Sequence, residues 1–106
     1  MSFTGTEYQQ IPLTMGATYT LNYRNSFAPS SELILGEYFS RMTVESILGQ
    51  EGCVGIRCYF AKDDMGNPCL VISGVTANED DIYTGIIAET GRKTPPHSGV
   101  SNPLNS

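Results

Sequence analysis

Within Cys53–Ala77, two apolar runs meet at Asp63-Asp64-Met65-Gly66-Asn67-Pro68, and that junction constrains the chain more than any other stretch. A three-residue hairpin loop, a type I turn followed by a left-handed glycine, fits these residues. Gly66 takes the positive-φ position without a steric cost, and Asp63 can accept hydrogen bonds from the backbone ahead of it. Asp63 then stands opposite Asn67. The register follows: Phe60 faces Leu70, Cys58 faces Ile72, Ile56 faces Gly74 and Val54 faces Thr76. Pro68 has no N–H to donate, so it belongs at the first position of its strand.

Alternation divides the hairpin into two faces. Val54, Ile56, Cys58, Phe60, Leu70 and Ile72 form the expected core face. The second face carries Cys53, Gly55, Arg57, Tyr59, Cys69, Val71, Ser73 and Val75. It is too apolar to stand in water, so another part of the chain or another copy of it must cover it.

The run Gly52-Cys53-Val54-Gly55-Ile56-Arg57, followed by an aromatic, Asp-x-x-Gly-x-Pro, Leu70-Val71 and Gly74-Val75, resembles a group of small uncharacterised proteins from Bacteroidetes. The resemblance spans residues 36–90. It implies a bacterial origin and the limits of the domain, and carries no activity, cofactor or site.

At 106 residues the chain is long enough for one domain, hiding roughly two thirds of its unfolded surface. Residues 1–10 are polar and aperiodic and read as a flexible arm. Residues 11–90 read as a single α+β domain, and 91–106 as an extended Pro/Gly/Ser-rich tail. Ile11-Pro12-Leu13-Thr14 reads as a helix entry with Thr14 as N-cap. Leu13, Ala17, Leu21 and Arg24 keep helical spacing, but the Thr- and Tyr-rich Ala17–Tyr23 also suits a strand. Asn25–Ser31 reads as a loop. A short strand at Gly36–Phe39, then Ser40 as N-cap of a helix over Arg41–Gly49, accounts for the next stretch, with Val44, Ile47 and Leu48 as its apolar stripe. One helix over Ser31–Leu48 is the alternative, at the cost of an internal Gly36. Ile82–Glu89 reads as a third strand returning along the hairpin. The expected fold is α+β: an antiparallel sheet of three to four strands built on the central hairpin, with one or two helices on one face.

Charge and motif set aside several functions. Net charge is −5, and the six Lys and Arg are scattered, unlike the basic stripe a nucleic-acid backbone requires. No apolar run reaches the ~20 residues of a membrane span. The opening MSFTGTEYQQ shows no secretory leader, and three cysteines, an odd number, agree with reduced thiols. A cytoplasmic protein is expected. Cys53, Cys58, Cys69 and the single His97 match no zinc spacing. In the proposed register Cys53 and Cys69 lie at opposite ends of roughly 26 Å of strand. No metal site, catalytic residue or cofactor is assigned. The glycines form no phosphate cradle. The acidic Asn78-Glu79-Asp80-Asp81 reads as a solvated turn.

Arg57 is the most informative single residue. It sits mid-strand, beside Tyr59 and opposite Ser73. Its planar fork suits an interface or a small anionic ligand. Equally, its stem can pack on the sheet while its head reaches water or an acidic neighbour. The function expected is a non-enzymatic interaction or structural module that self-associates, with Arg57, Tyr59, Val71, Ser73 and Val75 as interface candidates. The alternative is a protein that binds a small anionic ligand through Arg57 and Tyr59.

Overall fold

The structure is a computed structural model and describes residues 2–28 and 33–106. Helix α1 spans Leu13–Asn25, strand β1 Gly36–Tyr38, helix α2 Arg41–Leu48, β2 Cys53–Lys62, β3 Pro68–Thr76, β4 Ile87–Ala88 and β5 Arg92–Thr94. The fold is α+β, with a three-stranded antiparallel sheet in the order β2-β3-β4 and a separate two-stranded ribbon, β1-β5. No described helix is long and apolar enough to cross a membrane.

The hairpin forms through its turn. The Asp63 N–H donates to the Asn67 carbonyl and the Gly66 N–H to the Asp63 carbonyl, both at 2.9 Å. The Asp63 carboxylate also accepts from the N–H groups of Met65 and Asn67. Gly66 sits at φ 83°, as the turn demands. The register runs as expected from Lys62↔Pro68 through Ile56↔Gly74. Beyond Gly55 it shifts, because Val54 is an extra residue and Cys53 faces Thr76. A bulge of this kind turns the strand. It moves Cys53 to the Gly74 side, where a Cβ on Gly74 would stand 2.9 Å from the Cys53 Sγ.

Helix α2 begins where Ser40 caps it: the Ser40 Oγ accepts from the Thr43 N–H at 3.1 Å. Ile47 is fully buried and with Ile72, Val75 and Cys69 makes up the core. Gln50, just past the helix, bonds the Ile47 carbonyl and accepts from the Ile86 N–H. Gly74 and Gly85 leave it that space, since a Cβ on either would collide with its amide.

Residues 13–25 are helix rather than strand. The threonines are accommodated there: Thr18 and Thr20 donate their hydroxyls back to the carbonyls of Thr14 and Gly16, which satisfies the side chains without favouring the helix. The N-cap is Pro12 and not Thr14, and it offers no side-chain bond. Proline is tolerated there because the N-cap N–H has no intrahelical partner to lose. α1 buries none of its residues; Arg24 near its end donates to the carbonyls of Leu104 and Ser106. Of the expected loop Asn25–Ser31, residues 29–31 lie outside the described residues, as does Glu32.

The third strand is shorter than expected. Asp81 makes a single bridge to Val75. The chain then turns at Ile82–Gly85, with the Gly85 N–H reaching the Ile82 carbonyl, and only Ile87–Ala88 pairs with β3. Strand β5 lies in the Pro/Gly/Ser-rich stretch and pairs with β1 from Gly36↔Thr94 to Tyr38↔Arg92.

The two hairpin faces are not covered as alternation implies. On the expected core face Ile72 is buried, but Ile56 is 42 % exposed, Phe60 95 % exposed, and Cys58 is exposed too. On the second face Ser73 and Val75 are each only 3 % exposed, so the chain itself covers that part of the face. The reason is lateral: β3 is the central strand and is covered on both faces, whereas β2 is outermost.

Candidate functional site

Arg57, Tyr59 and Ser73 come together on the second face around one carboxylate, Asp81. Arg57 and Tyr59 are two residues apart on β2 and point the same way; Ser73 is the register partner of Arg57. The Val75↔Asp81 bridge sets the Asp81 backbone beside β3. Its side chain then receives Arg57 Nη1 on Oδ1 at 2.7 Å, Ser73 Oγ on the same oxygen at 3.2 Å, and the Tyr59 hydroxyl on Oδ2. Arg57 Nη1 also donates to the Glu79 carbonyl at 3.3 Å. The Phe3 ring stands over the guanidinium, 5.9 Å from its centroid to Cζ, within cation–π range. The Phe3 backbone is tied to the same region, its N–H donating to the Ala77 carbonyl at 2.8 Å.

The electrostatics follow from this geometry. The hydrogen bond from Tyr59 holds the Asp81 carboxyl below its ordinary range, with Arg57 and Ser73 acting in the same direction against desolvation. Arg57 is held still more firmly in its charged form, chiefly by Asp81. Both carboxylate oxygens are occupied by donors from the chain itself. Such a cluster fixes the Asp81 turn against the sheet.

Val71 and Val75 do not join this polar group. Val75 is buried, and Val71 stands half-buried opposite Tyr59. Sequence reasoning missed Asp81 and Phe3. A charged residue on a half-apolar face calls for a counter-ion, and the acidic run at 78–81 was the available source. Nothing local marked Phe3.

A second charged group joins the two sheets. Glu37 on β1 is nearly buried, its side chain 2 % exposed, and meets Lys93 Nζ of β5 at 2.7 Å. Its other oxygen accepts the Leu70 N–H of β3 at 2.8 Å. Lys93 also reaches Glu89 at 3.3 Å. Glu37 is the main reason the Lys93 ammonium is held above its usual range. Burial, with Glu89 beside it, pushes the neighbouring Cys69 thiol up, which keeps it protonated and unreactive. Gly91 permits this approach, because a Cβ there would stand 2.6 Å from the Glu37 Cγ.

A cavity of about 360 Å³ opens at the turn end of the hairpin, lined by Tyr19, Tyr23, Leu35, Phe60, Leu70 and Leu104 among others. Among the described residues, no three His, Cys, Asp or Glu side chains gather as a metal site. No protein-family model matches the chain, and searches of curated proteins and of solved structures find no match.

Proposed function

We propose that this chain is a non-enzymatic interaction module that assembles with copies of itself. The observation that carries the reading is surface. The chain exposes 7903 Å², whereas a folded monomer of its 11.5 kDa exposes about 5,800 Å². The excess, about 2,100 Å², falls within the roughly 1,000–2,500 Å² that each partner buries in an obligate dimer. The radius of gyration is 15.4 Å, against about 13 Å for a compact domain of this length. Large apolar side chains account for much of that surface, including Leu13, Tyr19, Ile56, Phe60 and Ile87.

The Asp81 cluster supports a structural role rather than a catalytic one, since its acid and its donors satisfy one another. The same fact weighs against a small anionic ligand at Arg57 and Tyr59, which would have to displace a carboxylate already in place. Size-exclusion chromatography with light scattering across a concentration series tests the reading. The expected mass is at least twice 11.5 kDa. A monomer that persists at high concentration overturns it.

A further inference from the structure

The apolar surface left open on β2 lies along a strand edge, and its residues are arranged to fit themselves. β2 is outermost in its sheet. The Asp63 N–H bond to Asn67 sets the phase of the ladder. Ala61, Tyr59 and Arg57 therefore bond inward to β3, while Phe60, Cys58 and Ile56 turn their N–H and C=O groups outward. The opposite edge confirms the phase, since the alternate Leu70 N–H points away from β2 and is met by Glu37. Among the described residues, no turn or loop backbone group bonds Ile56, Cys58 or Phe60.

Exposed edges are commonly blunted by bulges, lysines or prolines. Here the bulge lies at Cys53/Gly55 and Lys62 closes the strand, so both devices sit at the ends. The stretch between them carries one charge, Arg57, which Asp81 holds in an ion pair.

We propose that two copies pair through these β2 edges, antiparallel about a two-fold axis at Cys58, so that the two three-stranded sheets become one of six strands. This rests on the self-association reading and assigns it one part of the open surface, the β2 edge. The axis at Cys58 is chosen by the side chains. It sets Ile56 opposite Phe60 of the second copy, and Arg57 opposite Tyr59 of the second copy. Moving the axis one residue toward Ile56 would face Arg57 with itself, and like charges directly opposite are unfavourable. Moving it one residue the other way would set Ile56 against Lys62. Only the Cys58 register joins the two large apolar residues, now 42 % and 95 % exposed, and spreads the charges.

The native thiol reports on this geometry. A short bis-maleimide should join Cys58 to Cys58 and yield a covalent dimer of about twice the 11.5 kDa chain, and Cys58→Ser should abolish it. Phe60→Lys leaves the fold intact, because the side chain touches little in one copy, and each dimer contains it twice. It should raise the dissociation constant by about 100-fold or more, with an unchanged circular dichroism spectrum. An assembly that forms without the Cys58 link and ignores Phe60→Lys overturns the edge pairing and leaves self-association standing. A wild-type chain that stays monomeric overturns both.

Discussion

Asp81 gathers three donors, and its titration follows from them. Its carboxyl is depressed mainly by the Tyr59 hydroxyl, and Asp63 is depressed likewise by the Asn67 N–H. In the unfolded chain both protonate near about pH 3.9. A folded value below the unfolded one gives stability that is complete above about pH 4 and is lost as pH falls through the folded value. Melting temperature should therefore hold steady from neutrality to about pH 4 and drop below it. Asp81→Asn should lower the plateau by about 5 °C and make the acid drop shallower; an identical pH profile in the variant would remove Asp81 from the account. The sequence makes half of this cluster legible. Arg57 in mid-strand, on a half-apolar face, advertises a need for a counter-charge. Asp81 was harder to find, because a run of acids beside Asn78 has the composition of any solvated turn. Only the bridge to Val75 brings it inward.

At the scale of elements, the chain uses one corner twice. In the Asp63–Asn67 turn the first N–H meets the fifth carbonyl, and the fourth N–H meets the first carbonyl. Thr76–Asp80 repeats both bonds at 2.9 Å. The fourth residue is left-handed in each: Gly66 at φ 83°, but Glu79 at φ 72°. A side chain in that conformation costs about 1–2 kcal/mol, partly offset by glycine's larger loss of freedom on folding. Glu79→Gly should therefore stabilise the protein by about 0.5–1 kcal/mol, and Gly66→Ala should destabilise it by about 1 kcal/mol. Denaturant titration of the pair checks both signs. The first turn was readable because Gly66 announces it, and the register of the hairpin came with it. The second hid behind a glutamate. The bulge at Val54 left one mark, Gly55 in mid-strand, but the apolar run Cys53-Val54-Gly55-Ile56 does not say which residue is the extra one. Ile82–Glu89 is rich in strand-forming residues, interrupted by Gly85. Its early turn is set by Gln50, thirty-odd residues upstream, which fills the space beside Gly85 and takes the Ile86 N–H.

For the whole molecule, alternation identified the two faces of the hairpin but could not tell which strand would be outermost. Cover depends on that position, so Ile56 and Phe60 stayed open while Ser73 and Val75 were buried. If assembly supplies the missing cover, unfolding releases separate chains, and the melting temperature must climb with protein concentration. A melt independent of concentration over a hundredfold range would oppose that. The Glu37 carboxylate bears on the same question from the far side of the sheet. It occupies the Leu70 N–H that another strand would need, and β4 beyond it is only two residues long. One border of the sheet is stoppered and the other is free. Two chains joined at their free borders, as proposed, would leave only stoppered ones, so growth would halt at a pair instead of running on into a fibre.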